Sequence, residues 1–90
     1  MMNAEFQFAQ LISIFHSSAM VALGKLKNPA TDKVERNLEQ AKQAIDMLEL
    51  LRNKTKGNLT DSEQRMLDAS LTDLRLNFVD ESQKIGRAHV

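Results

Sequence analysis

Few residues of this 90-residue chain have the types and spacing that chemistry needs. His16 is the first of them. Wound as a helix, residues 4–26 place it on one face with Gln10, Ser13 and Ser17. A catalytic base needs a nucleophile and an orienting group held beside it, and serines on the polar face of a helix are ordinary. Zinc needs cysteine or further histidine ligands. The chain has no cysteine, and its other histidine lies in the last six residues. His16 therefore reads as a structural or solvated imidazole. The acidic residues scatter over three helices. A carboxylate-bridged metal site would need Glu-x-x-His pairs aimed into a bundle core, and the inward positions here are apolar. Asp46 and Glu49 read as solvated. No cofactor, no metal site and no catalytic residue is expected.

The stretch Lys54-Thr55-Lys56-Gly57-Asn58-Leu59-Thr60 holds the other candidate. Two lysines, a glycine loop and a helix N-terminus can receive an anion. That gives Lys54, Lys56, Gly57 and Thr60 as a site for a small anion or nucleotide. It is not a P-loop, because G-x-x-x-x-G-K-[ST] is absent. Asp61 and Glu63 already bring negative charge to that helix start, so the first reading is a helix stop followed by a cap.

The elements around these residues follow from periodicity. The chain is organised around Asn37 to Thr60. Asn37 with Gln40 makes a capping box, Glu39 lies in the first turn, Lys54 and Lys56 lie in the last, and Gly57 supplies a stop. Leu38 to Lys56 is the expected helix. Leu38, Ala41, Ile45 and Leu48 form one apolar stripe. Ala44, Met47 and Leu51, with Leu50 at the margin, form a second. The apolar arc is roughly 240° wide, enough for two neighbours.

Thr60 with Glu63 is a second capping box, and Leu67, Leu71, Leu74 and Phe78 follow as a narrow seam. The short loop makes helices 2 and 3 antiparallel neighbours. Pairing Leu38 with Phe78 and Ile45 with Leu71 closes the seam, flanked by Glu39 with Arg75 and Arg52 with Glu63. Asp61 and Arg65 are a further expected pair.

Ala4 to Leu26 is the first helix, with Gly24 a plausible stop. Phe8, Ile12, Phe15, Ala19, Ala22 and Leu26 form its main stripe. Its apolar arc runs to roughly 200°. One stripe of helix 2 cannot cover that, and the seam of helix 3 is already occupied by helix 2. Phe8, Leu11, Ile14, Phe15 and Val21 are therefore the expected interface. A two-fold homodimer is the simplest way to cover it, and an unidentified protein partner is the alternative. Lys25 to Arg36 is the one long connector. Asn28-Pro29 bends it, and Val34 is expected to dock before helix 2 begins.

The expected architecture is all-α: an antiparallel helical hairpin of helices 2 and 3, with helix 1 packed alongside, in one domain over residues 1–84. Lys plus Arg and Asp plus Glu both total 12, so no bulk charge calls for nucleic acid. No residue from Phe6 to Gly24 is acidic or carries a lysine or arginine, but polar residues interrupt that stretch. Its polar face also lacks the Lys/Arg of a membrane-surface helix, so a membrane role is not expected. The start of the chain does not read as a signal peptide, which leaves the cytoplasm. The last six residues, IGRAHV, resemble the translation of a common sequencing-adapter read. Residues 85–90 are therefore expected to be foreign to the natural protein.

Several runs together resemble one family. They are Leu23-Gly24, Asn28-Pro29-Ala30-Thr31, Asn37-Leu38-Glu39-Gln40-Ala41-Lys42, Ile45-Asp46-Met47-Leu48, Lys54 to Thr60, and Asp73-Leu74-Arg75. These resemble the short bacterial proteins of domain-of-unknown-function family 1844. The resemblance covers about Phe6 to Val79, and KTKGNLT is its most specific part. It implies a small, soluble, helical bacterial protein and brings no activity with it. Asp46 and Asn58 are the residues that caps and packing leave unexplained. The functional expectation is a non-enzymatic interaction or structural module that self-associates through helix 1.

Overall fold

Asn3 opens the first helix by accepting the Phe6 backbone N–H on its side-chain oxygen at 2.8 Å. The computed structural model describes residues 3–87. In it, α1 spans Ala4–Ala22, α2 Leu38–Lys54 and α3 Asp61–Arg87. The fold is all-α, and each helix packs on the other two.

Gly24, with φ 78°, stops α1. Its N–H donates to the Val21 carbonyl at 3.0 Å, and the Lys25 N–H reaches the Met20 carbonyl at 2.9 Å. This is the paired bonding of a Schellman motif. It ends the helix four residues before the expected Leu26, which is exposed. Asn37 caps α2 by accepting the Gln40 N–H at 3.1 Å. The N–H of Asn37 itself donates to the Ala22 carbonyl at 2.7 Å. The N-terminus of α2 is thus tied to the last turn of α1.

Between them the connector folds back on itself. Leu23 bridges Arg36 and Asn28 bridges Lys33, both antiparallel. The Asn28 side chain also accepts the Ala30 N–H at 2.9 Å, an Asx-type turn over Pro29. That self-contained loop leaves Val34 exposed, against the expectation that it docks.

At the other junction Thr55 ends α2, its hydroxyl donating to the Leu51 carbonyl at 2.7 Å. The helix stops at Lys54, two residues short of the expected Lys56. The Asn58 N–H then reaches the Thr55 carbonyl at 2.9 Å, with Gly57 at φ 86° in the third position. A type II turn requires a residue of positive φ there. The capping box of α3 is complete: Thr60 N–H to Glu63 at 2.8 Å, and Glu63 N–H to the Thr60 hydroxyl at 3.2 Å.

Three side-chain pairs set the direction of α1 against α3. Thr60 meets Glu5, His16 meets Asp73, and Lys25 meets Asp80, at sequence separations of 55, 57 and 55 residues. A near-constant separation means that the two helices run parallel and in register, with α2 antiparallel to both. The core is Ile12, Ala19, Ala22, Leu23, Ala41, Ile45, Leu48, Leu67, Leu71 and Leu74. Each buried leucine contributes about 1.5–3 kcal/mol before entropy is subtracted. Ala19 and Ala41 are fully buried. Such small side chains at a helix contact let the backbones close in, so α3 reaches α1 as well as α2.

The charges flanking α2 and α3 differ from the expected pairs. Arg75 takes Glu49 at 2.7 Å, and Arg52 approaches Asp68 at 3.8 Å. Glu63 is engaged in its cap instead. Phe78 and Leu38 both pack against the core, and Phe78 also lines a groove with Lys42 and Ile45. Of the tail expected to be foreign, residues 85–87 continue α3, and residues 88–90 lie outside the described residues.

Candidate functional site

The five expected interface residues differ in exposure. Phe8 and Phe15 are half-buried and pack against the core. Val21 is also half-buried, while Leu11 is 38% exposed and Ile14 65% exposed. The reason is the parallel packing of α3, which covers part of the arc that helix 2 alone would leave open. What remains outside is a different face, and Phe6, 53% exposed, belongs to it. Phe6 lies on the same side as Gln10 and Ser13, the nominally polar face, so a search for apolar stripes does not collect it. Phe6, Ala9, Gln10, Ser13 and Ile14 line a shallow concavity of about 530 Å³.

This face carries no acid and no lysine or arginine. Glu5 at its N-terminal edge is turned to the Thr60 hydroxyl at 2.7 Å. His16 is turned to Asp73, its Nε2 2.8 Å from Oδ2. Asn77 donates to the other carboxylate oxygen of Asp73 at 3.2 Å and to its carbonyl at 2.8 Å. The carboxylate therefore orients the imidazole, as one does beside a catalytic base. Both side chains are at the surface, and the bond that forms ties α1 to α3. Asp73 has no local signal in the sequence, since it lies 57 residues from its partner.

The tip sets Lys54, Lys56, Gly57 and Thr60, the residues expected to take an anion, around one turn and the cap that follows it. The two donors of Thr60 are engaged, its N–H by Glu63 and its hydroxyl by Glu5. Lys54, Lys56 and Gly57 are exposed around the turn.

The opposite end gathers charge that sequence reasoning missed. Glu81 is buried on α3. It accepts Lys84 at 2.7 Å, Arg36 at 2.8 Å and Lys25 at 2.9 Å. Lys25 also binds Asp80 at 2.8 Å, and Lys84 lies 3.3 Å from it. The hydrogen bonds from Lys84, Lys25 and Arg36 hold the Glu81 carboxyl down at about 2. Those from Lys25 and Lys84 lower Asp80, and those to Asp80 and Glu81 raise Lys25. Two cations come from the α1–α2 connector and both carboxylates from the far end of α3, so the cluster works as a clamp. Asp46, which the sequence left unexplained, binds Lys42 at 3.1 Å on the rim of the α2–α3 groove.

Among the described residues no three or more His, Cys, Asp or Glu stand together as a metal site, and no helix is long and apolar enough to cross a membrane. No curated protein matches the chain, and no solved structure matches it either. The family described as Domain of unknown function (DUF1844) matches residues 5–81, which takes in the core from Ile12 to Leu74 and the clamp residues Lys25, Arg36, Asp80 and Glu81. The three helices, their caps and this match agree with the resemblance carried by the sequence motifs, and the chain belongs to that family.

Proposed function

We propose that the protein is a small non-enzymatic interaction module of the bacterial cytoplasm that works as a homodimer joined through the outer face of α1. The observation that carries this is the exposure of Phe6, Leu11 and Ile14 on a helix surface without acid, lysine or arginine. Exposed apolar surface of that kind marks an interface, and a two-fold pair covers it in one closed step. A balanced charge of 12 against 12 gives nucleic acid nothing to hold. The absence of basic residues on the face speaks against an anionic membrane surface. A small-anion or nucleotide ligand at Lys54, Lys56, Gly57 and Thr60 has less support, because the Thr60 donors are already engaged.

Sedimentation equilibrium at micromolar concentration tests the reading. The wild type should give a dimer mass. Ile14→Glu should shift it to monomer while keeping the helical circular-dichroism spectrum, because Ile14 faces water in the single chain. Phe15 is not the residue to change, since it packs against the core. A monomer mass for the wild type would overturn the proposal.

A further inference from the structure

The concavity on α1 has the outline of a helix-packing socket. Phe6, Ala9, Gln10 and Ser13 stand at positions i, i+3, i+4 and i+7, and Ile14 rises at the rim. Four residues at that spacing form the hole that receives one side chain from a facing helix. Ala9 and Ser13 are small, so the floor is low. The same face supplies a knob of matching character in Ile14, the most exposed of its apolar side chains. A socket and its knob side by side on one helix are what a two-fold pair needs, because each copy then fills the other.

We infer that two copies of α1 pair antiparallel, with Ile14 of each copy seated over Ala9 in the socket of the other. This geometry rests on the self-association proposed above and specifies it. The register follows from the seat of the knob. With Ile14 against the second copy's Ala9, Gln10 meets Ser13, and Phe6 meets Ser17. Phe6, Gln10 and Ile14 each land on a small side chain, and the amide of Gln10 lies within reach of a hydroxyl. The overlap runs from Ala4 to Ala19, most of the helix. A parallel pair would set Phe6 on Phe6 and Ile14 on Ile14 and would leave both sockets open.

Charge argues for a second copy as the occupant. Glu5 is drawn off to Thr60 and His16 to Asp73. The helix neighbours of Phe6, Leu11 and Ile14 at three and four residues include no acid, lysine or arginine. Of the other exposed apolar residues on the helices, Leu76 has Asp73 and Asp80 at those spacings, Leu50 has Asp46 and Lys54, and Val79 has Arg75, while Met47 on α2 has Gln43, Ala44, Leu50 and Leu51. A partner with a charged surface would bury those charges unpaired against α1, whereas a second α1 buries none. The paired stretch is about 24 Å long, so the interface lies at the small end of specific ones and micromolar association is expected.

The chain contains no cysteine, so single cysteines report the geometry directly. Gln10→Cys and Ser13→Cys are both at exposed positions and leave the core alone. The variants are mixed under mild oxidation, and disulfide-linked species are identified by mass. Sedimentation of the reduced mixture is run alongside. The expected result is a reduced dimer in which the mixed Gln10→Cys with Ser13→Cys species links at least tenfold faster than either variant with itself. A dimer that links each variant to itself, or links neither, overturns the antiparallel register while leaving self-association standing. A reduced monomer, with or without neutral phosphatidylcholine vesicles present, overturns both.

Discussion

At one end of the bundle Thr60 exchanges hydrogen bonds with Glu63 and gives its hydroxyl to Glu5. At the other, Lys25, Arg36 and Lys84 converge on the buried carboxylate of Glu81. The first closure is mostly local, with cap and partner three residues apart. The second joins residues 45 to 56 positions distant, apart from Lys84. A cap forms as soon as its helix does. A charge clamp forms only when connector and α3 are already in place, so it locks a fold that the core has made. The tip should therefore tolerate substitution, and the clamp should tolerate neither substitution nor acid.

The largest effect should come from Glu81→Ala, which leaves Lys25, Arg36 and Lys84 clustered with Asp80 as the one remaining carboxylate of the clamp. A drop in melting temperature of about 10 °C is expected, and a loss within 2 °C would mean that the clamp contributes little. Its pH dependence has a definite sign. A carboxyl held at about 2 in the fold, against 4.5 when free, stabilises the folded state above its unfolded pKa. That contribution disappears as pH falls from about 5 towards 2. The margin of wild type over Glu81→Gln in thermal melts should therefore shrink across that window and stay flat from pH 6 to 8.

The two positive-φ glycines make the next contrast. An added Cβ at Gly24 would sit 3.4 Å from the Arg36 Cβ, whereas at Gly57 it would meet nothing within 4 Å. Both alanine variants carry the left-handed backbone penalty of about 1–2 kcal/mol, but Gly24→Ala also pushes on the segment that carries Arg36. Urea denaturation should rank Gly24→Ala below Gly57→Ala, and equal midpoints would remove the distinction. The smallest effect is expected from Lys54→Ala with Lys56→Ala. Exposed charges at a helix end contribute under about 1 kcal/mol, and added phosphate should not raise the melting temperature of either form.

What the sequence disclosed follows the same division. Asn37, Thr60 and Gly24 announced the helix ends because caps act within a few residues, and the stripe Ala41, Ile45, Leu48 with the seam Leu67, Leu71, Leu74 announced the core. The parallel register of α1 and α3 was out of reach, because each pair that fixes it spans 55 or 57 residues. If the seam of α3 served α2 alone, too much of α1 would be left uncovered. Periodicity on that footing assigns Phe8 and Phe15 to the interface and passes over Phe6, which stands among glutamine and serine. The clamp was illegible for a related reason. Lys25, Arg36, Asp80 and Glu81 are each an ordinary surface charge in the sequence, and only the meeting of connector and α3 buries one of them.

The connector leaves the bundle and returns to it at one point, where the Asn37 N–H meets the Ala22 carbonyl at 2.7 Å. Lys25 and Arg36, the two clamp residues it supplies, sit close to its ends. The stretch from Leu26 to Glu35 is therefore a detour, an Ω-shaped excursion that touches the bundle through Asn28 and Pro29 and is exposed beyond them. Doubling such a loop costs only about 0.6 kcal/mol in closure entropy. A guest segment spliced in at Thr31-Asp32, beyond the Asn28 and Pro29 that line a pocket with Ser17, Ser18 and Val21 of α1, would be carried on the outside of the bundle. The domain thus has a built-in port for carrying a peptide or a reporter.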